Sequence, residues 1–254
     1  MNILTFDLSG KFAHFRKYYA NNTALSYFIP PRTTLMGMLA AAMGYPRDSY
    51  YEALASEHIR LGLRILSPLK KRIHRVNWLK IEGAGDFRGQ KQHTQTPFEL
   101  VSGLSPQTDL VRYRVYVSAH DSGLDTWGRL AAVLMSGRQQ VFPVSLGSAN
   151  FSGSIEGVRL FEQVPAHTST DAYVWLHSAV NSEHVAQIDW DGQGRLMIEE
   201  ELTPADFVAN HDRELRKMVR LLYATDGQPM RVRYSGPYWQ LPYGDHEERI
   251  CFIE

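Results

Sequence analysis

The longest apolar run of the chain, residues 35–43 (LMGMLAAAM), limits what this sequence can fold into. A transmembrane helix needs about 20 apolar residues, so a run of this length predicts no membrane-spanning helix. Apolar side chains cover the run on nearly all sides, which indicates a helix buried in a protein core. Pro30-Pro31 stops any helix before it, Thr33 or Thr34 can cap its start, and Gly44 fits its end.

The order of the predicted elements indicates an α+β fold. The first 150 residues predict a strand at 1–8, the buried helix, a strand at 58–66, a β-hairpin insertion, a strand at 111–119, a helix at 124–136 and a strand-like run at 141–146. This is the βαββαβ order of a ferredoxin-like, RRM-like sheet, on which RNA-recognition modules are built. We therefore expect a ferredoxin-like RNA-binding domain at residues 1–150.

Residues 151–254 predict a β-rich C-terminal part that packs on the first domain, and no clear linker separates the two. Strands are expected at 157–163, 172–180, 185–190, 195–202, 230–234 and 249–253. Helices are expected at 211–223 and, as a short piece, at 49–56.

Charge is distributed unevenly along a chain whose formal net charge is zero. Residues 60–95 carry nine basic and two acidic side chains, whereas residues 199–214 carry six acidic side chains and one basic one. A basic segment of this kind suits a protein that holds a polyanion such as RNA on one side. Two ordinary solvated faces remain the alternative, and the acidic stretch would also suit a module that binds only other proteins.

The basic segment has the pattern of a projecting β-hairpin with a glycine-rich tip, at about 69–98. Its few apolar residues lie among charges, and Trp78 is costly to expose unless a base stacks on it or a side chain covers it. An edge hairpin whose lysines discourage aggregation is the alternative. The side chains that we expect to contact RNA here are Lys71, Arg72, Arg75, Trp78, Lys80, Arg88 and Lys91.

Two further stretches have the residue types that bind nucleic acid. Residues 11–19 place basic side chains among aromatic ones, and phosphates and bases respectively would meet them. Arg32-Thr33-Thr34 stands at the start of the buried helix, where free N–H groups attract anions. The alternatives are core aromatics with a solvated rim, and a plain capped helix with a surface arginine. The candidate contacts are Lys11, His14, Arg16, Lys17, Arg32, Thr33 and Thr34.

Sequence patterns of common enzymes are missing, including the Walker loop, the G-x-S-x-G elbow and the H-E-x-x-H pair. The single cysteine, Cys251, excludes an internal disulfide and a four-cysteine zinc site, and neither a metal nor another cofactor is expected. Metal-independent RNA cleavage needs a base and an acid, so an endoribonuclease remains open. Its candidate groups are His14, Tyr18, Tyr19, His74 and His93.

The N-terminus lacks a basic region followed by a long apolar one, so no signal peptide is expected and the chain is interpreted as cytoplasmic.

Several motifs together resemble a known family. The N-terminal run GKFAHFRK (10–17), then LSY (25–27) and PPRTTLMGML (30–39), resembles the N-terminal motif of Cas family 5, CRISPR-associated proteins of the RAMP superfamily. The form is most similar to the type I-B branch. Weaker similarity continues at PVSLG (143–147) and ERICFI (248–253).

This resemblance implies a ferredoxin-like palm with a β-hairpin thumb, in a subunit at one end of the Cascade surveillance complex. Such a subunit binds and caps the 5′ handle of the CRISPR RNA, and Tyr27 of the LSY motif joins the candidate contacts on this basis. It touches the family 7 backbone subunit and the family 8 large subunit, and meets target DNA only indirectly. The resemblance favours a non-catalytic binder; the alternative is an endoribonuclease that processes pre-CRISPR RNA, as in the type I-C branch.

Overall fold

The structure is a computed structural model of the 254-residue chain that describes residues 1–21, 23–89, 93–137, 141–170, 172–192, 194, 196–209 and 213–254. Its α-helices there are α1 (Arg32–Met43) and α2 (Leu124–Met135). Its strands are β1 (Ile3–Gly10), β2 (Phe15–Arg16), β3 (Ser26–Tyr27), β4 (Ile59–Ile65), β5 (Leu69–Leu79), β6 (His93–Gly103), β7 (Val111–Ala119), β8 (Gly153–Phe161), β9 (Ala166–Thr168), β10 (Ala172–Leu176), β11 (Val180–Asn181), β12 (Val185–Ile188), β13 (Ile198–Phe207), β14 (Leu215–Ala224), β15 (Met230–Tyr234), β16 (Pro237–Tyr243) and β17 (His246–Ile250). The expected mixed α+β class is confirmed, with strands in the majority.

The largest sheet is antiparallel, has four strands and is covered on both faces. Its strand order is β4-β7-β1-β8, and Leu4 and Leu61 both face Val117 across the ladder. Side chains alternate between faces along a strand. Leu4, Phe6 and Leu8 accordingly join the core that holds α1 and α2, while Ile3 joins a second core with β16 and β17.

Helix α1 begins earlier than the sequence predicted. Pro31 is the residue that precedes its first turn, and no side chain caps that turn, so Thr33 and Thr34 lie inside the helix instead of capping it. The end is as expected: Gly44 has a φ of +78°, and Tyr45 donates its N–H to the Ala40 carbonyl at 2.9 Å. A left-handed residue at this place is the usual helix terminator.

Strands β5 and β6 form the predicted hairpin, with an unbroken register from Leu69↔Gly103 to Leu79↔His93. Only its base is anchored, through bridges from Ala13 to Val101 and from Ala24 to Phe98. Residues 90–92, which include the candidate contact Lys91, lie outside the described chain. The hairpin prediction is confirmed.

The C-terminal half forms three small sheets, with strand orders β10-β15-β12, β11-β14-β13 and β17-β16-β9. The strands expected in this half are found with shifted bounds. Two other predictions here or earlier are wrong: residues 49–56 form turns, and 141–146 form no strand beyond a single bridge at Ser145. Core residues from this half, such as Leu221 and Ile253, pack in the same cluster as α1.

The helix predicted at 211–223 is wrong, because residues 215–224 are strand β14. Leu215, Met218, Val219 and Leu222 have helical spacing, which misled the prediction. Pairing with β13 along its length instead imposes the strand period and buries Leu221. Neither helix of the described part is long and apolar enough to cross a membrane.

Candidate nucleic-acid interface

A cavity of about 900 Å³ lies between the hairpin, the segment that follows β1 and the loop after 146. No carboxylate is among the described side chains that line it. Its lining residues are His14, Phe15, Arg16, Asn21, Thr23, Ala24, Thr34, Trp78, Thr94, Gln95, Thr96, Phe98, Gly147, Ser148 and Arg213. We call this cavity the groove. Its cationic and aromatic lining is the composition that binds single-stranded nucleic acid.

Aromatic rings form one wall of the groove. Trp78, on β5, is 44% exposed, and its ring centre lies 6.1 Å from that of Phe98 on β6. His14 stacks on Phe98 at 4.0 Å between ring centres, and it is itself almost fully buried. Trp78 therefore offers an open face for a base, while Phe98 and His14 support it from below.

Two arginines supply the positive charge of the groove. Arg16 is exposed; it donates to the Ala20 carbonyl at 3.0 Å and makes no ion pair with a described residue. Arg213, in a left-handed conformation with φ of +60°, lies 3.2 Å from the Asp48 carboxylate and remains half exposed. Arg16 is thus the freer of the two to meet a phosphate.

The groove continues into a smaller cavity of about 270 Å³ beside α1. The two cavities share Thr34, Gly147 and Arg213. Gly147 has a φ of +90°, and a Cβ there would lie 2.0 Å from the His14 carbonyl oxygen. Only glycine fits this junction, where the His14 N–H also donates to the Leu146 carbonyl at 3.0 Å.

His14 is the one histidine of the groove wall. Its Nδ1 lies 2.7 Å from the Glu99 carbonyl oxygen. Burial lowers the pKa of His14 below its usual value, with a smaller contribution from the charge of Arg16. The imidazole is therefore neutral at pH 7, and with Nδ1 donating to the carbonyl, Nε2 keeps an acceptor lone pair.

Arg32 lies elsewhere than the sequence predicted. Its side chain is fully buried, and it donates to the Asp206 carboxylate at 2.7 Å and to the carbonyls of Leu54 and Ile59 at 2.9 and 2.6 Å. A guanidinium that is already saturated with buried acceptors cannot reach a phosphate. The expectation that Arg32 faces a ligand at the helix entrance is wrong, and so is the surface-arginine alternative.

Three other candidates are drawn into an internal cluster around Glu201. The Lys17 and Lys71 ammonium groups lie 2.6 and 3.5 Å from the Glu201 carboxylate. Tyr27 is buried beneath Lys17, with its hydroxyl donating to the Leu202 carbonyl at 3.1 Å. These side chains fasten the hairpin base to β13, so the predicted RNA contact through Tyr27 is contradicted, and Lys17 and Lys71 have their charge already compensated.

The remaining candidates lie around the groove rather than in it. Lys11 and Arg72 donate to the carbonyls of Gln107 and Leu104, each at 2.8 Å. Lys80 pairs with Glu82 at 3.0 Å. Thr33 is buried and lines only the smaller cavity, whereas Thr34 lines both.

Two hairpin arginines stay unpaired within the described chain. Arg75 and Arg88 are exposed and make no ion pair there. The acidic stretch at 199–214, by contrast, is partly internal, since Glu201 and Asp206 are buried partners of Lys17 and Arg32. It is therefore not one continuous acidic surface.

Sequence reasoning missed Arg213, Gly147 and Phe98. Arg213 was counted only as the single basic residue of an acidic stretch, and nothing local connects it to the groove. Gly147 could have been found, because it ends the PVSLG motif. Phe98 follows Pro97 in a strand, where an aromatic residue predicts only core packing.

Comparisons with known proteins agree with this geometry. The family model described as "CRISPR-associated protein (Cas_Cas5)" matches residues 3–234. A CRISPR protein from Archaeoglobus fulgidus has a similar structure, with a TM-score of 0.57 at 13% identity over 100% of both chains. A chain of a CRISPR RNA-guided surveillance complex gives a TM-score of 0.50 at 15% identity, covering 91% of this chain and 90% of that one.

At these identities the two structural relatives show a shared fold alone, and no curated protein sequence matches the chain. The family match does not depend on them, because it extends over most of the sequence, from β1 to β15. The chain therefore belongs to the CRISPR-associated Cas family 5.

Proposed function

We propose that the chain is a non-catalytic, RNA-binding subunit of a type I CRISPR effector complex, in which it binds and caps the 5′ handle of the CRISPR RNA. The observation that carries this proposal is the groove, a large cavity with aromatic and arginine side chains and no carboxylate in its described lining. Backbone phosphates would meet Arg16 and Arg213, and one splayed base would stack on Trp78.

The proposal includes a ferredoxin-like palm and a thumb. The strand order β4-β7-β1-β8 supports the palm, with α1 following β1 and α2 following β7 on one face of the sheet. The hairpin β5–β6 is the thumb, and the groove lies at its base. RNA would then lie between thumb and palm, with the hairpin arginines along its outer side.

The type I-B subtype and the partners belong to the same proposal and rest on the N-terminal motif at 10–39. The partners are the family 7 backbone subunit and the family 8 large subunit. Pairing between guide RNA and target reads the DNA sequence, so this subunit needs to recognise only the handle and its shape.

The experiment that tests the proposal is purification of the coexpressed complex followed by sequencing of its RNA. We expect CRISPR RNA with an intact 5′ handle, protected from ribonuclease when this subunit is present. A Trp78→Ala, Arg16→Gln variant should lose the protection, whereas Arg129→Gln, a change on the exposed side of α2, should keep it. Full protection by the groove variant would overturn the proposal.

A metal-independent endoribonuclease is the second candidate, and His14 is the observation that favours it. A neutral imidazole on the groove wall is chemically suited to act as a general base. The other histidines and tyrosines considered for this role are exposed on the hairpin (His74, His93) or beside the groove (Tyr18, Tyr19). Cleavage of repeat RNA in EDTA that is lost in His14→Ala would establish this candidate over the first.

A further inference from the structure

We propose that a separate cavity of about 240 Å³, formed by Arg60, His120, His184 and three aromatic rings, binds a nucleotide through its phosphate and its base. The inference does not rest on the proposed function. Arg60 alternates with Ile59 and Leu61, which face the core around α1, so the cavity lies on the opposite face of the main sheet. Its lining is Arg60, His120, His184, Tyr234, Pro237, Trp239, Phe252 and Glu254.

Arg60 is a cation without an anion. Its Nε and Nη2 each lie 3.2 Å from a different ring nitrogen of His120. A neutral imidazole has one acceptor nitrogen, so at most one of these contacts is a hydrogen bond. Arg60 makes no ion pair with any described residue, and most of its donors therefore remain available to a phosphate, which guanidinium groups bind in a bidentate manner.

The aromatic part of the cavity holds an unsatisfied donor. Trp239 is only 2% exposed, and its indole Nε1 has no hydrogen-bond partner. A buried N–H without an acceptor is rare and costly, which makes the site incomplete as it stands. The ring of Trp239 packs against Phe252 with 4.8 Å between centres, and the Arg60 guanidinium lies 5.9 Å from its centre.

The other charged group of the cavity does not oppose an anion strongly. The Glu254 carboxyl group accepts from the Leu61 N–H at 2.5 Å and lies 3.5 Å from Arg32 Nε. Burial raises the pKa of Glu254 to about 7, so a large fraction is uncharged at neutral pH. Burial lowers the pKa of His120, and the remaining lining groups are His184 and Tyr234.

The composition and the size of the cavity select a nucleotide. A bare anion would leave three buried rings without a partner, and an uncharged aromatic ligand would leave Arg60 without one. The volume lies below the roughly 300–1,000 Å³ of drug-sized ligand sites, so one nucleotide fits better than a longer segment of strand. A free nucleotide and the phosphorylated end of a strand share this chemistry.

The test uses the full chain labelled with ¹⁵N-tryptophan and titrated with AMP, and then separately with adenosine, inorganic phosphate and a 5′-phosphorylated dinucleotide. We expect AMP to shift the indole N–H signal of Trp239, assigned with Trp239→Phe, and to bind at least about tenfold more tightly than adenosine or phosphate. Dinucleotide binding as tight as AMP would identify a strand end as the ligand source, and weaker binding would identify the free nucleotide.

Variants separate this cavity from the groove. Arg60→Gln should weaken AMP binding by about tenfold or more, whereas Arg47→Gln, at an arginine that is 80% exposed in its side chain, should leave it unchanged. Trp78→Ala in the groove should also leave it unchanged. The proposal is overturned if AMP does not bind at millimolar concentration, if phosphate alone binds equally well, or if Trp78→Ala removes binding and Arg60→Gln does not.

Discussion

The guanidinium of Arg32 lies 2.7 Å from the carboxylate of Asp206, 174 positions later in the chain. This pair joins the first turn of α1 to β13 inside the core. The Asp206 carboxylate also accepts from the Ser56 N–H at 3.0 Å. The PPRTT motif therefore serves the assembly of the fold at Arg32, even though it borders the groove at Thr34.

Replacing Arg32 with alanine should destabilise the fold by about 3–5 kcal/mol, because it leaves the Asp206 carboxylate buried without its partner. Urea unfolding followed by circular dichroism measures this change. Arg47→Ala, at an exposed arginine, should stay within about 0.5 kcal/mol of the parent chain. An Arg32→Ala protein with the parent's unfolding midpoint and lost RNA binding would show instead that the arginine serves the ligand.

The contrast between Arg32 and the hairpin shows what the sequence could predict. The hairpin depends on local alternation and on glycines between its strands, and both are visible in a short window. The partners of Arg32 are Asp206 and Glu254, 174 and 222 positions away, and no local pattern connects them. Reading Arg32 as a surface residue followed from its charge alone, which is the usual guide but fails where two distant acids compensate it.

Strand β14 shows the same limit for secondary structure. Its apolar residues satisfy the helical and the strand period at once, and only the pairing with β13, which is distant information, selects the strand. The groove was predicted in part for this reason. Its N-terminal and hairpin walls come from segments with clear composition, whereas Arg213 enters from a segment that offered no such pattern.

Trp78→Ala should weaken binding of single-stranded repeat RNA by about 1–3 kcal/mol, since one base loses its stacking partner. Fluorescence anisotropy with a labelled RNA measures the affinity, and Trp78→Phe should retain most of it. Ile73→Ala is the matched control, because Ile73 is exposed on the same strand, five positions away and so on its other face. Equal losses in the two alanine variants would contradict a specific stacking role for Trp78.

Arg16→Gln and Arg213→Gln should each make RNA binding less sensitive to salt. A lost phosphate contact on a single strand lowers the slope of log affinity against log salt by about 0.7. Affinities measured by anisotropy over a series of KCl concentrations give this slope. Arg129→Gln, which changes an arginine beside Tyr45 on α2, should leave the slope as it is, and a slope unchanged in all three variants would exclude both groove arginines as phosphate contacts.

Glu201→Gln should reduce stability at neutral pH and remove part of its dependence on pH. Burial alone would raise the pKa of Glu201, but the hydrogen bond from Lys17, the charge of Lys71 and the Tyr223 hydroxyl bring it below the usual 4.5. The folded chain thus holds this carboxylate's proton less tightly than the unfolded chain does. Its stabilising contribution is present above about pH 4.5 and is lost as the pH falls through the folded pKa.

The size of that contribution should be about 1.5–3 kcal/mol, the range for a hydrogen bond to a charged group in a nearly buried site. Urea unfolding of the parent and of Glu201→Gln at neutral and at acidic pH measures it, and the two curves should converge at the acidic end. Glu162→Gln, at an exposed glutamate, should follow the parent at every pH. In the double variant Lys17→Met, Glu201→Gln the loss should be smaller than the sum of the single losses, because either change already breaks the same pair. Additive losses would mean that Lys17 and Glu201 act separately, and Lys17 would then return to the set of cations available to RNA.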